Sequence, residues 1–348
     1  MAKNRVLLSL IAFAAAFVFV CILLHPLLPD PLLLHADMRS EKLLLMQQWQ
    51  GTANRAAFGS SHMQDGFDPR AFDAVLQGTP LAGKTINLAV PGGAQTEQRL
   101  LALRFVRTLP HNADQPLVLL ELNAGANFTN DHLVHPRAIN AYDWQTVRFA
   151  ETLSSPQQGP AQRFGRVGYA LIAWALRTAN FGMLSSRIFS APIDQAQLAD
   201  ETRDDRRGFS NPIPPAGQTA RMQALIDTSV AHSAVSKGLV VPGFRVLAEE
   251  LQRASAAPGL QLAYIVTPKI GDLAGYTTWP PCIATVQGPV PVVAVNRPDL
   301  YPQLFHDGAN WVDDAHLSEQ GAQLLSRAVA QQLETWHTVP QTNAACGA

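Results

Sequence analysis

Charge is scarce in this chain. Of its 348 residues, 15% are Asp, Glu, Lys or Arg, and 26 basic side chains are balanced by 27 acidic ones. A groove for nucleic acid needs a basic excess, and a disordered chain needs low hydrophobicity with high net charge. A hydrophobic content of 47% and a net charge of -1 argue against both, so no nucleic-acid partner is expected. Cysteine is scarcer still, and three residues cannot frame a scaffold of several disulfides. Cys21 lies in an apolar run, leaving Cys282 and Cys346 as one disulfide or as two separate thiols. The nucleophile elbow G-x-S-x-G is missing: Gly59 and Ser61 fit its start, but Met63 stands where the last glycine belongs, which argues against an ordinary α/β-hydrolase. A zinc signature is missing too. Asp131, His132 and His135 fit no strong ligand spacing, and neither a metal nor another cofactor is expected.

What the chain does have is one long apolar run. Residues 1–5 are short and positive, and 6–24 follow without a charge. At 1.5 Å per residue that run covers roughly 28 Å, about the thickness of a bilayer core. Lys3 and Arg5 should keep the start cytoplasmic and send the main body across. The rival, a cleaved signal peptide, calls for a shorter apolar segment and a small-residue cleavage site, and no A-x-A pattern follows Cys21. Cys21 also lacks the small residues that precede a lipidated cysteine. The expected organisation is a cytoplasmic stub over 1–5, a transmembrane anchor over 6–25, a connecting segment and helix over 26–50, an α/β domain over 51–340 and a tail over 341–348.

Within the domain, strand-like and helix-like stretches alternate. Residues 55–59 read as a short strand, 69–76 as a helix with proline in its first turn, and 84–90 as a second strand. Thr96 reads as the N-cap of a helix carrying Leu100, Leu103 and Val106. The nearly continuous apolar run 117–122 is what a parallel strand covered on both faces requires. This rhythm predicts an α/β sheet. It breaks over 132–240, where 142–149 and 164–178 read as amphipathic helices that cover the site or lie against the membrane. The charge run 199–207 reads as a solvated loop. A helix over 244–254, strands over 259–268 and 289–296 and a last helix over 318–335 complete the pattern.

The chemistry concentrates at two places. Ala57-Phe58-Gly59-Ser60-Ser61-His62 ends an apolar run in a glycine and two serines, and Asp313-x-x-His316 precedes the final helix. A serine hydroxyl is a poor nucleophile until an imidazole takes its proton, and the imidazole works better when a carboxylate fixes its tautomer. Either serine is eligible, and both could instead cap a helix. His62 reads as a group behind the site or as a surface ring, and Asp314 as a cap or loop residue. Tyr276 and Trp279 read as a packed loop or as a carbohydrate-lining face.

In this order the blocks resemble those of the SGNH or GDSL hydrolase superfamily, and more closely its membrane-anchored bacterial branch linked to acylation of cell-envelope polymers. The first block matches Phe58-Gly59-Ser60-Ser61, with Ser60 where that superfamily usually has aspartate, and its register selects Ser61 as nucleophile. The last block, D-x-x-H, matches Asp313 and His316. The second, N-x-G-x-x-G, reads Asn87-Leu88-Ala89-Val90-Pro91-Gly92, and the third, G-x-N-D, reads Gly125-Ala126-Asn127-Phe128 without its aspartate. The resemblance implies a flavodoxin-like three-layer α/β/α sandwich with a parallel central sheet, preceded by one transmembrane helix. It also implies a serine esterase or O-acyltransferase. Ser61 would attack an ester carbonyl with His316 as base and Asp313 as its orienter. The N–H groups of Ser61 and Ala89, with the side chain of Asn127 or its rival Asn123, would form the oxyanion hole. The implied partners are an acylated glycan, polymer or lipid substrate, the inner membrane and a membrane-bound acyltransferase, with the main domain in the periplasm. Two readings from other classes stand beside it. One is a non-catalytic scaffold of a polysaccharide-modifying complex, and the other is a membrane-tethered carbohydrate-binding module.

Overall fold

The computed structural model describes residues 2–28, 38–122, 135–153, 159–189, 195–210, 212–229, 235–238, 242–339 and 346. Helix α1 (Ala2–Leu24) has 23 residues, which rise through about 34 Å. It is long and apolar enough to cross a membrane, and its apolar window is not buried inside the rest of the chain. A 3-10 turn at His25–Leu27, containing Pro26, ends it. Helix α2 (Met38–Gln48) then leads into the domain.

The domain is built on a six-stranded sheet. Its strands are β1 (Arg55–Phe58), β2 (Thr85–Asn87), β3 (Leu117–Glu121), β5 (Gln261–Val266), β7 (Cys282–Thr285) and β8 (Gly288–Ala294), in the order β2-β1-β3-β5-β8-β7. A separate pair joins β4 (Ser236–Lys237) to β6 (Thr277–Thr278). Alternate side chains of the central strands enter two different cores, which is why these strands read as unbroken apolar runs. Ala56, Phe58, Val118, Leu120, Leu262 and Tyr264 face one, while Ala57, Leu117, Leu119, Ala263 and Ile265 face the other. The first core is closed by α2, α5 (Gln95–Thr108) and α12 (Pro242–Ala254). The second is closed by α4 (Pro69–Leu76), α11 (Gln218–Thr228), α13 (Pro302–Phe305) and α14 (Glu319–Thr338).

Three expectations need correction. The sheet is mixed rather than purely parallel, because β7 runs antiparallel to β8 along the edge. The hairpin turns at Gly288, whose φ of 120° suits only glycine. Four residues behind Pro280-Pro281 left too little pattern to reveal β7. Helix α5 is capped at Ala94 and not at Thr96: the Glu97 carboxylate accepts from Ala94 N at 2.9 Å, closing the first turn from within. The charge run is only partly solvated. Glu201, at the end of α10 (Gln195–Glu201), is buried and accepts from the buried Lys42 ammonium at 3.0 Å. Arg207 pairs with Asp73 at 2.7 Å and its carbonyl accepts from Asn87 N at 2.7 Å, extending the β2 edge. Asp200, Arg203 and Asp205 keep to the surface.

The cysteine alternative resolves to a disulfide. Cys282 and Cys346, 4.7 Å apart at Cα, join edge strand β7 to the C-terminal tail. The described residues between β3 and β4 are largely helical. Helices α6 (Pro136–Ile139), α7 (Trp144–Thr152), α8 (Pro160–Thr178) and α9 (Phe181–Phe189) pack on one another, with a small core of Ala141, Tyr142, Val147, Ala150, Ala170 and Ala173. Arg99 fixes this region to the sheet layers by donating to Glu250 and to Thr146.

Candidate active site

Strand β1 ends at Phe58 and the chain turns sharply into α3 (Ser61–Gly66). A side chain at Gly59 would place Cβ 2.5 Å from Met63 Cγ and 2.7 Å from Glu121 Oε2, so only glycine lets this turn sit so low on the sheet. Ser60 is the N-cap of α3, its Oγ accepting from His62 N at 3.3 Å. Ser61 is the first helical residue, half-buried at the end of the sheet. Buried Asn87 holds the far end of α3 by donating to Met63 O at 2.8 Å and to Phe67 O at 2.9 Å.

The loop before α14 delivers the other two groups. Ser61 Oγ lies 2.8 Å from His316 Nε2, and His316 Nδ1 lies 2.8 and 2.9 Å from the two carboxylate oxygens of Asp313. A proton on Nδ1 satisfies the carboxylate and leaves Nε2 to accept the Ser61 O–H, so Asp313 selects the tautomer that can act as a base. The loop is closed by its own carboxylate: Asp313 Oδ1 accepts from Ala315 N and His316 N, both at 2.8 Å. Partial burial pushes the Asp313 carboxyl up, but the Ala315 N–H and the His316 ring outweigh it and hold it below the usual range. Asp314 is exposed and contributes its carbonyl to Ile270 N at 2.9 Å.

One functional-looking residue escaped the sequence reading, and it settles His62 as a group behind the site. Glu121 ends β3 fully buried, beneath the serine turn. Its Oε2 accepts from Ser60 N at 2.5 Å, and its Oε1 lies 3.3 Å from His62 Nδ1 and accepts from Thr267 Oγ1 at 3.3 Å. Burial pushes this carboxyl up; the hydrogen bond and charge of His62, then the Ser60 N–H, more than offset that and hold it low. His62 is in turn stacked on His316, with ring centroids 5.1 Å apart. The signal for Glu121 was present in the sequence as one ionisable residue within an apolar strand.

The expected oxyanion groups fare unevenly. The Ser61 N–H is among the first of its helix, which no helical carbonyl reaches. Ala89 does not serve: it is fully buried and its N–H donates to Asn87 Oδ1 at 3.0 Å, which locks the asparagine instead. The residues that follow meet the serine loop: Val90 N donates to Gly59 O at 3.0 Å, and a Cβ at Gly93 would fall 2.7 Å from the same oxygen. Asn123 and Asn127 lie outside the described residues. So do Asp131 and His132, while His135 caps α6 by accepting from Arg137 N at 3.2 Å.

Beside the pair formed by His62 and Glu121 is a pocket of about 170 Å³, lined also by Thr267, Lys269, Trp279 and Asn296. Asn296 Nδ2 donates to Thr277 O at 2.9 Å, and among the described residues its buried Oδ1 and the buried Trp279 Nε1 have no partner. Asp272, on the same wall, is pushed up to about 6 by burial against the opposing pull of Lys269. Tyr276 lies outside this wall and packs under Arg297, whose guanidinium is 5.0 Å from the ring centroid.

No protein-family model matches this chain, and neither the curated proteins nor the solved structures contain a match to it.

Proposed function

We propose that this chain is a membrane-tethered serine esterase or O-acyltransferase of SGNH type, with a flavodoxin-like arrangement of its parallel strands and its domain in the periplasm. The observation that carries the proposal is the hydrogen-bonded series Ser61–His316–Asp313, assembled from the start of α3 and the loop before α14, with Ser61 and His316 255 residues apart in the chain. In the proposed reaction His316 Nε2 takes the Ser61 proton as Oγ bonds to the ester carbonyl carbon. The Ser61 N–H stabilises the oxyanion. Collapse breaks the bond to the alkoxide, which leaves with the proton from His316. Water, or a hydroxyl of a sugar or polymer, then repeats the steps in reverse order and carries off the acyl group.

Two further features support the setting. A disulfide between Cys282 and Cys346 suits an oxidising compartment, as the far side of a bacterial inner membrane is. A tether such as α1 holds the enzyme close to membrane-bound donors and to nascent polymer, raising effective concentration without any new contact. The pocket beside His62, with its unpaired Asn296 Oδ1 and Trp279 Nε1, suits a hydroxyl-bearing portion of the substrate.

Labelling with a serine-reactive fluorophosphonate tests the proposal. The full-length protein should be labelled at Ser61, Ser61→Ala should lose the label, and Ser60→Ala should keep it. Complete inertness of the folded protein towards such probes and towards p-nitrophenyl esters would overturn it and leave the scaffold reading standing.

A further inference from the structure

Helices α8 and α9 are built inside out for a domain in water. The faces they bury carry small residues: Ala170 and Ala173 on α8, Gly182, Ser185 and Ser186 on α9. Tyr169 and Trp174 of α8 also pack against this core, but six large apolar side chains of the two helices point outward. On α8, Phe164, Leu171 and Ile172 recur at helical spacing along one exposed stripe; on α9, Phe181, Leu184 and Ile188 do the same. Phe164 is 81% exposed, Ile188 63% and Ile172 51%. Elsewhere among the described residues of the domain the exposed large hydrophobic residues stand singly or in twos, which needs no explanation, but here six fall on two consecutive helices that pack on one another.

The corner between the two helices touches the membrane segment. Asn180, in a left-handed conformation at φ 64°, accepts through Oδ1 from His25 Nδ1 at 2.7 Å and donates through Nδ2 to Cys21 O near the end of α1. An apolar surface that begins where the spanning helix ends has the bilayer as its nearest neighbour. Charge agrees. The two helices carry four arginines and no acidic residue; Arg166 is half-buried and donates to Leu153 O, and Arg177 is half-buried, while Arg163, 4.0 Å from Glu151, and Arg187 are exposed, as anionic headgroups favour.

We propose that α8 and α9 lie in the plane of the membrane interface, with Phe164, Leu171, Ile172, Phe181, Leu184 and Ile188 among the acyl chains and the exposed Arg163 and Arg187 at the headgroups. This rests on α1 crossing the bilayer and is independent of the chemistry at Ser61. It gives the domain a fixed seat on the membrane surface instead of a loose tether. The seat connects to the reaction site. Asn140, at the end of α6, donates to Ser186 Oγ of α9 at 3.1 Å, and Arg137 of α6 donates to Pro91 O at 2.7 Å in the turn that meets the serine loop.

The test uses the full-length protein with Cys21→Ser, in nanodiscs of mixed zwitterionic and anionic phospholipid. A fluorophore is attached at Ile172→Cys, at Ile188→Cys and, as comparator, at Val286→Cys on the β7–β8 turn, which is 81% exposed. Labels at 172 and 188 should be quenched by spin-labelled lipid and shielded from iodide, and the label at 286 should behave in the opposite way. Iodide quenching at 172 and 188 without lipid quenching would place the face in water. Shielding from both would place it against a second copy or another protein. Either result overturns the proposal. Phe164→Cys repeats the measurement at the most exposed position, should one of the other variants not fold.

Discussion

Two histidine–carboxylate pairs lie ring on ring in this molecule, and they are not equivalent. His316 and Asp313 sit on a surface loop, with the Asp313 side chain 45% exposed; His62 and Glu121 sit at the end of the sheet, with Glu121 1% exposed. The surface pair uses both imidazole nitrogens for different partners, Nδ1 for Asp313 and Nε2 for Ser61. The buried pair does not. His62 meets Glu121 and Ser60 Oγ through the same Nδ1, at 3.3 and 3.2 Å. A proton relay needs the orienting carboxylate on one nitrogen and the hydroxyl on the other, so only Ser61 is connected to a base. The buried pair instead holds the turn: its carboxylate accepts from Ser60 N and thereby fixes the entry to α3. The same residue types thus do different work according to which nitrogen is engaged and how much water is excluded.

The largest expected effects break the surface pair. Ser61→Ala should lower kcat/KM for p-nitrophenyl acetate by about 10⁴-fold or more, and Asp313→Asn should lower it by about 10³–10⁴-fold through the wrong tautomer. Ser60→Ala, which removes a cap, should stay within about tenfold of the native rate and cost about 1 kcal/mol of stability. Loss of turnover in Ser60→Ala with turnover retained in Ser61→Ala would reverse the assignment.

The surface pair was legible in the sequence because its members carry local signals: Asp313 and His316 fall within one turn of chain, and Ser61 follows a glycine after an apolar run. The buried pair was not. Glu121 meets Ser60 only because β3 lies beside β1 in parallel register, with Phe58 opposite Leu120, and that adjacency is a tertiary fact. The same holds for Lys42 and Glu201, which a charge run on the surface gave no reason to join. Strands β1, β3 and β5 were readable from continuous apolar runs, whereas β7 is short, antiparallel and set off by prolines. Ala89 fails as an oxyanion donor for a reason invisible to motif spacing: the asparagine two residues earlier turns back and takes its N–H.

Breaking the buried pair should act on stability. Glu121→Gln should cost about 2–3 kcal/mol at pH 7, since it removes a buried carboxylate that accepts from Ser60, Thr267 and His62. The folded-state pKa of Glu121 is depressed, so its contribution is fully present above the unfolded carboxyl pKa and is lost as pH falls through the folded value. Thermal unfolding of the detergent-solubilised chain should therefore show a gap between native and variant that is widest near neutrality and narrows on acidification. A gap that widened towards low pH would contradict the depressed pKa. Ring-stacked His316 should keep its contact with Ser61, so the fluorophosphonate label should survive where the protein remains folded.

The smallest effect separates seating from proton transfer. The pocket belongs to the His62–Glu121 side, and its unpaired acceptor, Asn296 Oδ1, is buried where a ligand hydroxyl could satisfy it. If that side of the site only positions substrate, Asn296→Ala should raise KM for an O-acetylated oligosaccharide by about fivefold, the equivalent of ~1 kcal/mol for one hydrogen bond, with kcat little changed. The same variant should leave KM for p-nitrophenyl acetate unaltered, because an acyl group alone has no hydroxyl to offer. A matching loss in kcat for both esters would mean that the pocket side supports the reacting atoms themselves, and the division of labour between the two pairs would have to be redrawn.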